Sequence, residues 1–298
     1  MKYFNFAIVA SFFCLWLDSL LSNDAQIIVG FILILTFGIL HGANDLLLIK
    51  KIDYNKEQMS LQKTLLYYIV VVAIGSLLFW IIPWFALLLF IIVSGYHFGE
   101  QQWENLEKSN LFRLFEFAYG LLILMLLFIF HIKEVQEVIQ NITTVLVPES
   151  YFTIGLIINI VALVALGIYY STKLIEFKNR VLLETFYLLV FAVLFRVSSL
   201  IWGFAIYFII WHSIPSIINQ VNYLSGEFNK KNFGKYIKSA FVYWMISLIG
   251  IATLYFLFKD IKIFNALFFS FLAAITFPHV LVIFILFKKK LKKKPSWD

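Results

Sequence analysis

Polar residues in this chain come in short bursts, and the stretches between them are almost continuously apolar. Ten such stretches stand out, at about 4–18, 26–48, 64–82, 85–98, 112–131, 151–170, 181–195, 200–219, 239–258 and 264–287. Most approach the roughly 20 residues that an α-helix needs to cross the hydrocarbon of a bilayer. None alternates with period two, so the pattern of a membrane β-barrel is absent. Hydrocarbon offers backbone N–H and C=O groups no water, and a continuous helix satisfies them within the segment. The predicted fold class is therefore all-α: a polytopic helical membrane bundle with about ten transmembrane segments. Pro83 and Trp84 break the pattern before the short 85–98 segment, which can extend through Gln101 and Trp103 as an interfacial turn. The longest polar connections are 49–63, 132–150 and 220–238. The 132–147 stretch reads as an amphipathic helix lying on the membrane. No internal repeat and no soluble domain is visible. Residues 1–298 read as one transmembrane domain with a short basic tail at 288–298.

Composition sharpens this picture. Of the 298 residues 62% are hydrophobic and 14% charged, against about 25% charged in a soluble domain. The net charge of +7 does not point to nucleic acid, because six of the 24 basic residues sit together behind the last apolar run. These are Lys288, Lys289, Lys290, Lys292, Lys293 and Lys294, a cytoplasmic anchor beside anionic lipid. Cys14 is the single cysteine, which excludes an internal disulfide. Lys2 and the apolar stretch after it imitate a signal peptide. No small-residue cleavage site is clear near Asp18–Ala25, so a retained first helix is expected.

Basic residues also set the expected orientation. Lys50, Lys51, Lys56 and Lys63 lie between the second and third segments, and Lys173, Lys178 and Arg180 between the sixth and seventh. Lys230, Lys231, Lys235 and Lys238 lie between the eighth and ninth, and the lysine tail follows the tenth. With ten spans all four groups share one side with the N-terminus, so both termini are expected in the cytoplasm. Lys259 and Lys262 are a mild exception on the other side.

Four of the five histidines fall inside or at the end of apolar segments: His41, His97, His212 and His279. Counted from the cytoplasmic ends of their spans, His41, His212 and His279 lie roughly 10–12 Å deep at 1.5 Å per residue. His97 is nearer its boundary. His131, at the outer end of its helix, stands apart. A lone buried histidine is ordinarily a packing residue bonded to a carbonyl. Four at one level on separate helices point instead to a site, since ionisable residues inside a bilayer are costly unless used. Imidazole is the commonest protein ligand for a transition metal. One cysteine and no HExxH string argue against structural zinc, and an all-imidazole set suits redox iron. Asp45 follows His41 by four residues and Glu100 follows His97 by three, so each carboxylate is expected on its histidine's helix face, oriented to hold the ring. Gly42, Gly95 and Gly99 would let helices approach closely. Pro215 and Pro278 would loosen the helices beside His212 and His279. Glu116 and Glu184, near the inner ends of their spans, read as plain interfacial charges.

The strings around these residues are HGANDLLLI at 41–49, SGYHFGEQQW at 94–103, WHSIPS at 211–216 and FPHVLV at 277–282. In this order, in a polytopic chain of this length, they resemble the bacteriorhodopsin-related protein (Brp/Blh) family of beta-carotene 15,15'-dioxygenases. The resemblance runs from residue 41 to residue 282. It implies a multi-pass protein of the inner (cytoplasmic) membrane that binds ferrous iron, Fe(2+), through histidines. It implies O₂-dependent cleavage of beta-carotene at the central double bond, giving retinal, with a microbial rhodopsin as a product acceptor. Carried over residue by residue, His41, His97 and His212 are the firm metal ligands and catalytic positions, with His279 as the fourth candidate. Many members of the family have H-x-x-x-H where this chain has Ser216 four residues after His212. Either His279 completes the set, or a water does, or the site is impaired.

A polyene substrate would enter from lipid, and Tyr96, Trp103, Tyr207, Trp211 and Phe277 neighbour the histidines as candidate tunnel walls. At helical spacing such aromatics more often pack the core or face lipid. The competing readings are a histidine-lined transporter and a non-catalytic metal- or haem-binding membrane protein. A transporter would string polar residues across the full membrane depth, and the outer halves of these segments are nearly devoid of them. A di-iron desaturase needs more histidines than five. The orientation has a direct test: reporter fusions after Asn23 and after Lys230 should report opposite sides of the membrane. Matching signals would overturn the topology.

Overall fold

The computed structural model describes residues 2–52, 61–104, 106, 109–257 and 261–292. Lys56, Lys259, Lys293 and Lys294 of the sequence reading lie outside the described residues. In chain order the helices are α1 (Lys2–Asp18), α2 (Asn23–Leu33), a π-helical segment (Ile34–Gly38), α3 (Ile39–Gly42), α4 (Asp45–Ile52), α5 (Leu61–Ile81), α6 (Pro83–Gln102) and α7 (Asn110–Phe130). They continue with α8 (Ile132–Thr143), α9 (Glu149–Lys173), α10 (Ile175–Val197), α11 (Leu200–Ile206), a second π-helical segment (Tyr207–Ser213), α12 (Ile214–Ser225), α13 (Lys230–Leu257) and α14 (Ile261–Lys292). No strand occurs among the described residues.

Each of the ten apolar segments coincides with a helix or a string of helices. Among the described residues, eight are long and apolar enough to cross a membrane. The remaining two are the shorter Tyr3–Asp18 and α10, which carries Glu176, Lys178, Arg180, Glu184 and Arg196 along its length. The chain is thus a polytopic helical membrane protein. The 85–98 segment proves longer than its apolar pattern, because Pro83 starts a helix that runs on through Gln102. Proline suits the first helical position, where its missing N–H has no intrahelical partner. The 132–147 stretch forms α8, which ends on Thr144 at φ 60°.

The chain forms two compact units, each discontinuous in sequence. The first comprises residues 1–37, 91–140 and 144–215. In it α7 packs on α9 and α10, α11 on α2, and α1 on α10 and the second π segment. Its interior is aromatic: Trp103, Phe112, Tyr119, Phe177, Phe191 and Phe195 are fully buried. Trp103 stacks on Phe177 with ring centroids 4.9 Å apart. Asn159 of α9 donates to the Ala118 carbonyl of α7 at 3.0 Å, a polar tie within apolar surroundings. Helix α6 meets α7 through glycines. A Cβ on Gly99 would stand 1.7 Å from the Glu116 carbonyl oxygen, and one on Gly120 1.9 Å from the Gly95 carbonyl oxygen. Backbone meets backbone there, as small residues permit in membranes.

The second unit comprises residues 38–90, 141–143 and 216–298. Here α14 packs on α5 and α4, and α13 on α3 and α14. Leu40, Ile217, Val221, Tyr236 and Ala240 form one buried cluster, and Phe79, Ala86 and Ala273 another. The end of α12 is closed by Lys51, whose ammonium donates to the carbonyls of Tyr223 at 2.7 Å and Leu224 at 2.9 Å. A cation is favourable at a helix C-terminus, where the last carbonyls lack N–H partners.

The glycine contact gives a stability test. Gly99→Ala and Gly120→Ala should each cost at least about 2 kcal/mol, the overpacking range, because the obstacle is backbone. Gly155→Ala, where a Cβ meets nothing within 4 Å, should be neutral. Thermal unfolding of the purified protein in detergent checks all three.

Candidate functional site

Two buried histidine pairs form, one inside each unit. In the first unit His97 of α6 and His212 of the second π segment have ring centroids 4.8 Å apart at 81°. In the second unit His41 of α3 and His279 of α14 lie 4.7 Å apart at 90°. All four are buried, none more than 6% exposed. Near-perpendicular rings at this spacing are in edge-to-face contact. Among the described residues, no three or more His, Cys, Asp and Glu side chains gather at metal-holding distance.

The local helix geometry at these residues is irregular. His41 follows the π segment Ile34–Gly38 by three residues, and His212 lies within Tyr207–Ser213. A π turn shifts the helix face by a residue and is frequent at functional sites. Pro215 explains how the second one closes. In i→i+5 register its missing N–H is the donor that the Ile210 carbonyl would take. The hydroxyl of Tyr3 on α1 donates to that carbonyl instead. The His212 carbonyl accepts the side-chain amide of Gln101 at 2.8 Å.

The carboxylates differ from the sequence expectation at one point. Asp45 was expected to serve His41 across one helical turn. The helix stops at Gly42, turns through Ala43 and Asn44, and restarts at Asp45. Asp45 opens the new helix and faces α14. Its carboxylate accepts His279 Nδ1–H at 2.9 and 3.1 Å and the Tyr68 hydroxyl at 3.2 Å. A carboxylate on Nδ1 fixes the ring and its tautomer. Glu100 accepts the Tyr96 hydroxyl at 3.1 Å.

Glu116 and Glu184, read as interfacial charges, are instead buried at 0% and 3% exposure. Glu184 accepts Gln102 Nε2 at 2.7 Å, the Tyr119 hydroxyl at 3.1 Å and Arg180 at 3.1 Å. Arg180 also donates to the Gln102 carbonyl at 2.7 Å. This network holds the end of α6, the helix that carries His97, to α10. Burial of a carboxylate is tolerable because three donated contacts replace water. Sequence pattern alone did not show it, since the partners come from three helices.

The aromatic candidates separate by what they touch. Tyr207 packs on Phe98, Phe191 and Phe195. Trp211 packs on Tyr187 and Phe191, and its indole N–H donates to Ser11 at 2.9 Å. Trp103, with no exposed surface, sits among Phe112, Phe115, Tyr119 and Phe177. The Arg180 guanidinium stands 5.1 Å from its ring. Phe277 packs near Phe79 and Ala273. The rings that flank His212 are Phe98, at 4.8 Å, and Phe208, stacked at 5.3 Å. The sequence reading missed both, although Phe98 adjoins His97. His131 is engaged elsewhere, with Phe195 O at 2.8 Å and Glu134 at 3.1 Å.

Comparison with protein families returns one that spans these positions. The model of the beta-carotene 15,15'-dioxygenase family matches residues 32–287, most of the chain and all four histidine strings. The chain belongs to the beta-carotene 15,15'-dioxygenase family. No curated protein and no solved structure matches it. In this member of the family Ser216 is 7% exposed, and its hydroxyl accepts Gln220 Nε2 at 3.0 Å.

The Asp45 contact yields a measurable prediction. Asp45→Ala strips the acceptor from His279 and Tyr68 and should destabilise the protein by about 2–3 kcal/mol, the range for a bond to a charged group. Tyr68→Phe should cost about 1 kcal/mol. Thermal unfolding of the two variants in detergent should rank them in that order.

Proposed function

We propose that this protein is an iron-dependent dioxygenase of the membrane that cleaves beta-carotene, or a related carotenoid, at the central double bond to give retinal. The observation that carries the reading is the coincidence of the family match with two buried imidazole pairs at the family's histidine strings. His41, His97, His212 and His279 would supply the ligands for Fe(2+). When bound, ferrous iron supplies the redox chemistry that makes dioxygen reactive toward an alkene. Cleavage adds one oxygen atom to each carbon of the broken double bond, so two aldehydes form and no other reactant is needed.

The chain's own residues prepare this reaction. Neutral imidazoles leave the metal's positive charge intact. Asp45 holds the His279 ring in one tautomer. Phe98 and Phe208 cover His212 with apolar surface, which excludes water and suits an apolar polyene. A carotenoid is insoluble in water and would enter sideways from lipid, between helices whose outer faces are apolar. The basic loops support an orientation with both termini inside, the family resemblance supports the cytoplasmic membrane, and a retinal-binding rhodopsin is a fitting acceptor for the product.

Expression in a beta-carotene-producing bacterium, with pigment loss and retinal measured together, tests the proposal. Wild-type protein should bleach the cells and accumulate retinal. His41→Ala, His97→Ala and His212→Ala should each lower retinal at least about 100-fold, as loss of a metal-site group does, while the protein still inserts in the membrane. Wild-type protein that retains iron yet leaves every carotenoid intact would reduce the assignment to a metal-binding member without this activity.

A further inference from the structure

We propose that Gln220 is the positioning residue for His41, and that Ser216 and Tyr236 serve to aim it. The inference rests on the reading of His41 as a metal ligand. Gln220 is 2% exposed, and its amide is engaged from both ends. One N–H donates to the His41 carbonyl at 2.8 Å. The other donates to Ser216 Oγ at 3.0 Å. The amide oxygen accepts the Tyr236 hydroxyl at 2.8 Å. A reversed amide would set its oxygen against the His41 carbonyl, so these three partners admit a single orientation.

The contact lies where the backbone needs it. The helix breaks at Ala43–Asn44, with only Gly42 between the break and His41. An unanswered carbonyl in hydrocarbon costs several kcal/mol. Gln220 and the Tyr236 hydroxyl, at 3.3 Å, answer the His41 carbonyl. Pinning the carbonyl pins the Cα of the same residue and narrows the positions its ring can take.

The first unit repeats the device independently, with Gln101 on the His212 carbonyl at 2.8 Å. In both units a histidine beside or within a π segment has its own carbonyl held by a glutamine amide from another helix. This also gives Ser216 a purpose. Where many family members have histidine, this chain has a small hydroxyl that accepts the second N–H of Gln220.

The test uses full-length protein in nanodiscs and Co(II) alone as the probe, with its affinity and its ligand-field absorption spectrum as readouts. Gln220→Met keeps length but removes both donors; Gln220→Glu keeps the acceptor for Tyr236 and likewise removes the donors. Both should weaken Co(II) binding about 10–100-fold, the usual effect of losing a group behind a ligand, and shift the spectrum at saturating Co(II). Ser216→Ala should weaken binding about 3–10-fold, the value of one hydrogen bond. A purely structural role would lower the unfolding temperature and leave the saturated spectrum unchanged, and that result overturns the proposal. If the Gln220 variants fail to fold, Ser216→Ala and Tyr236→Phe, which removes the donor to the Gln220 amide oxygen, decide, and wild-type affinity and spectrum in both overturn it. His41→Ala separates the two levels. Co(II) binding unchanged in His41→Ala refutes the metal reading, and this proposal with it. Loss in His41→Ala together with wild-type behaviour in Gln220→Met refutes the role of Gln220 alone.

Discussion

Inside a bilayer a backbone carbonyl that leaves its helix has no water to turn to, and this constraint organises the protein. A regular helix satisfies it at no further cost. Several interruptions are met by a side chain that arrives from another helix with a donor of the right reach. Tyr3 meets the carbonyl of Ile210 opposite Pro215. Gln101 meets that of His212 and Gln220 that of His41. Asn44, in the turn that ends α3, donates to the Tyr236 carbonyl at 2.9 Å, and Ser239 donates back to Asn44 at 2.8 Å. Lys51 closes α12 in the same way.

The interruptions coincide with buried histidines. His41 lies between a π segment and a helix break, and His212 lies within a π segment. A regular helix commits its carbonyls and places its side chains at fixed angles of about 100°. A π turn moves the following side chains off that spacing. After Gly42 the helix breaks, and the turn comes just before Asp45, whose carboxylate accepts His279.

The first unit adds an ionic fixture to this arrangement. Glu184, buried in α10, draws Gln102, Tyr119 and Arg180 onto itself. Removing one member of such a network leaves a buried charge without compensation, which costs far more than the pair contributes over an apolar replacement. Its structural yield is orientation: α6 ends against α10 by this network and lies on α7 by glycine contacts closer than any Cβ allows. His97, on the intervening turn of α6, inherits its position from both.

Much of this was legible in the residues themselves. Continuous apolar runs determined the helices, because hydrocarbon leaves a chain no other economical structure. The four histidines declared themselves because ionisable side chains are rare in such runs. The strings around them carried the family, and Gly99 carried the close helix approach. Other features depended on partners distant in sequence. Asp45 and His41 stand four apart, which reads as one helix face, and only the packing of α14 brings His279 to that carboxylate. Glu184 reads as an interfacial charge until Gln102, Tyr119 and Arg180 are seen to replace its water. Gln101 and Gln220 sit at the ends of apolar runs like ordinary boundary residues. Their amides gain meaning from carbonyls 111 and 179 residues away. Local composition determines which segments enter the membrane, since that is a property of each segment alone. Which polar group meets which carbonyl is decided by helix packing, since a hydrogen bond requires its two ends to be within about 3 Å.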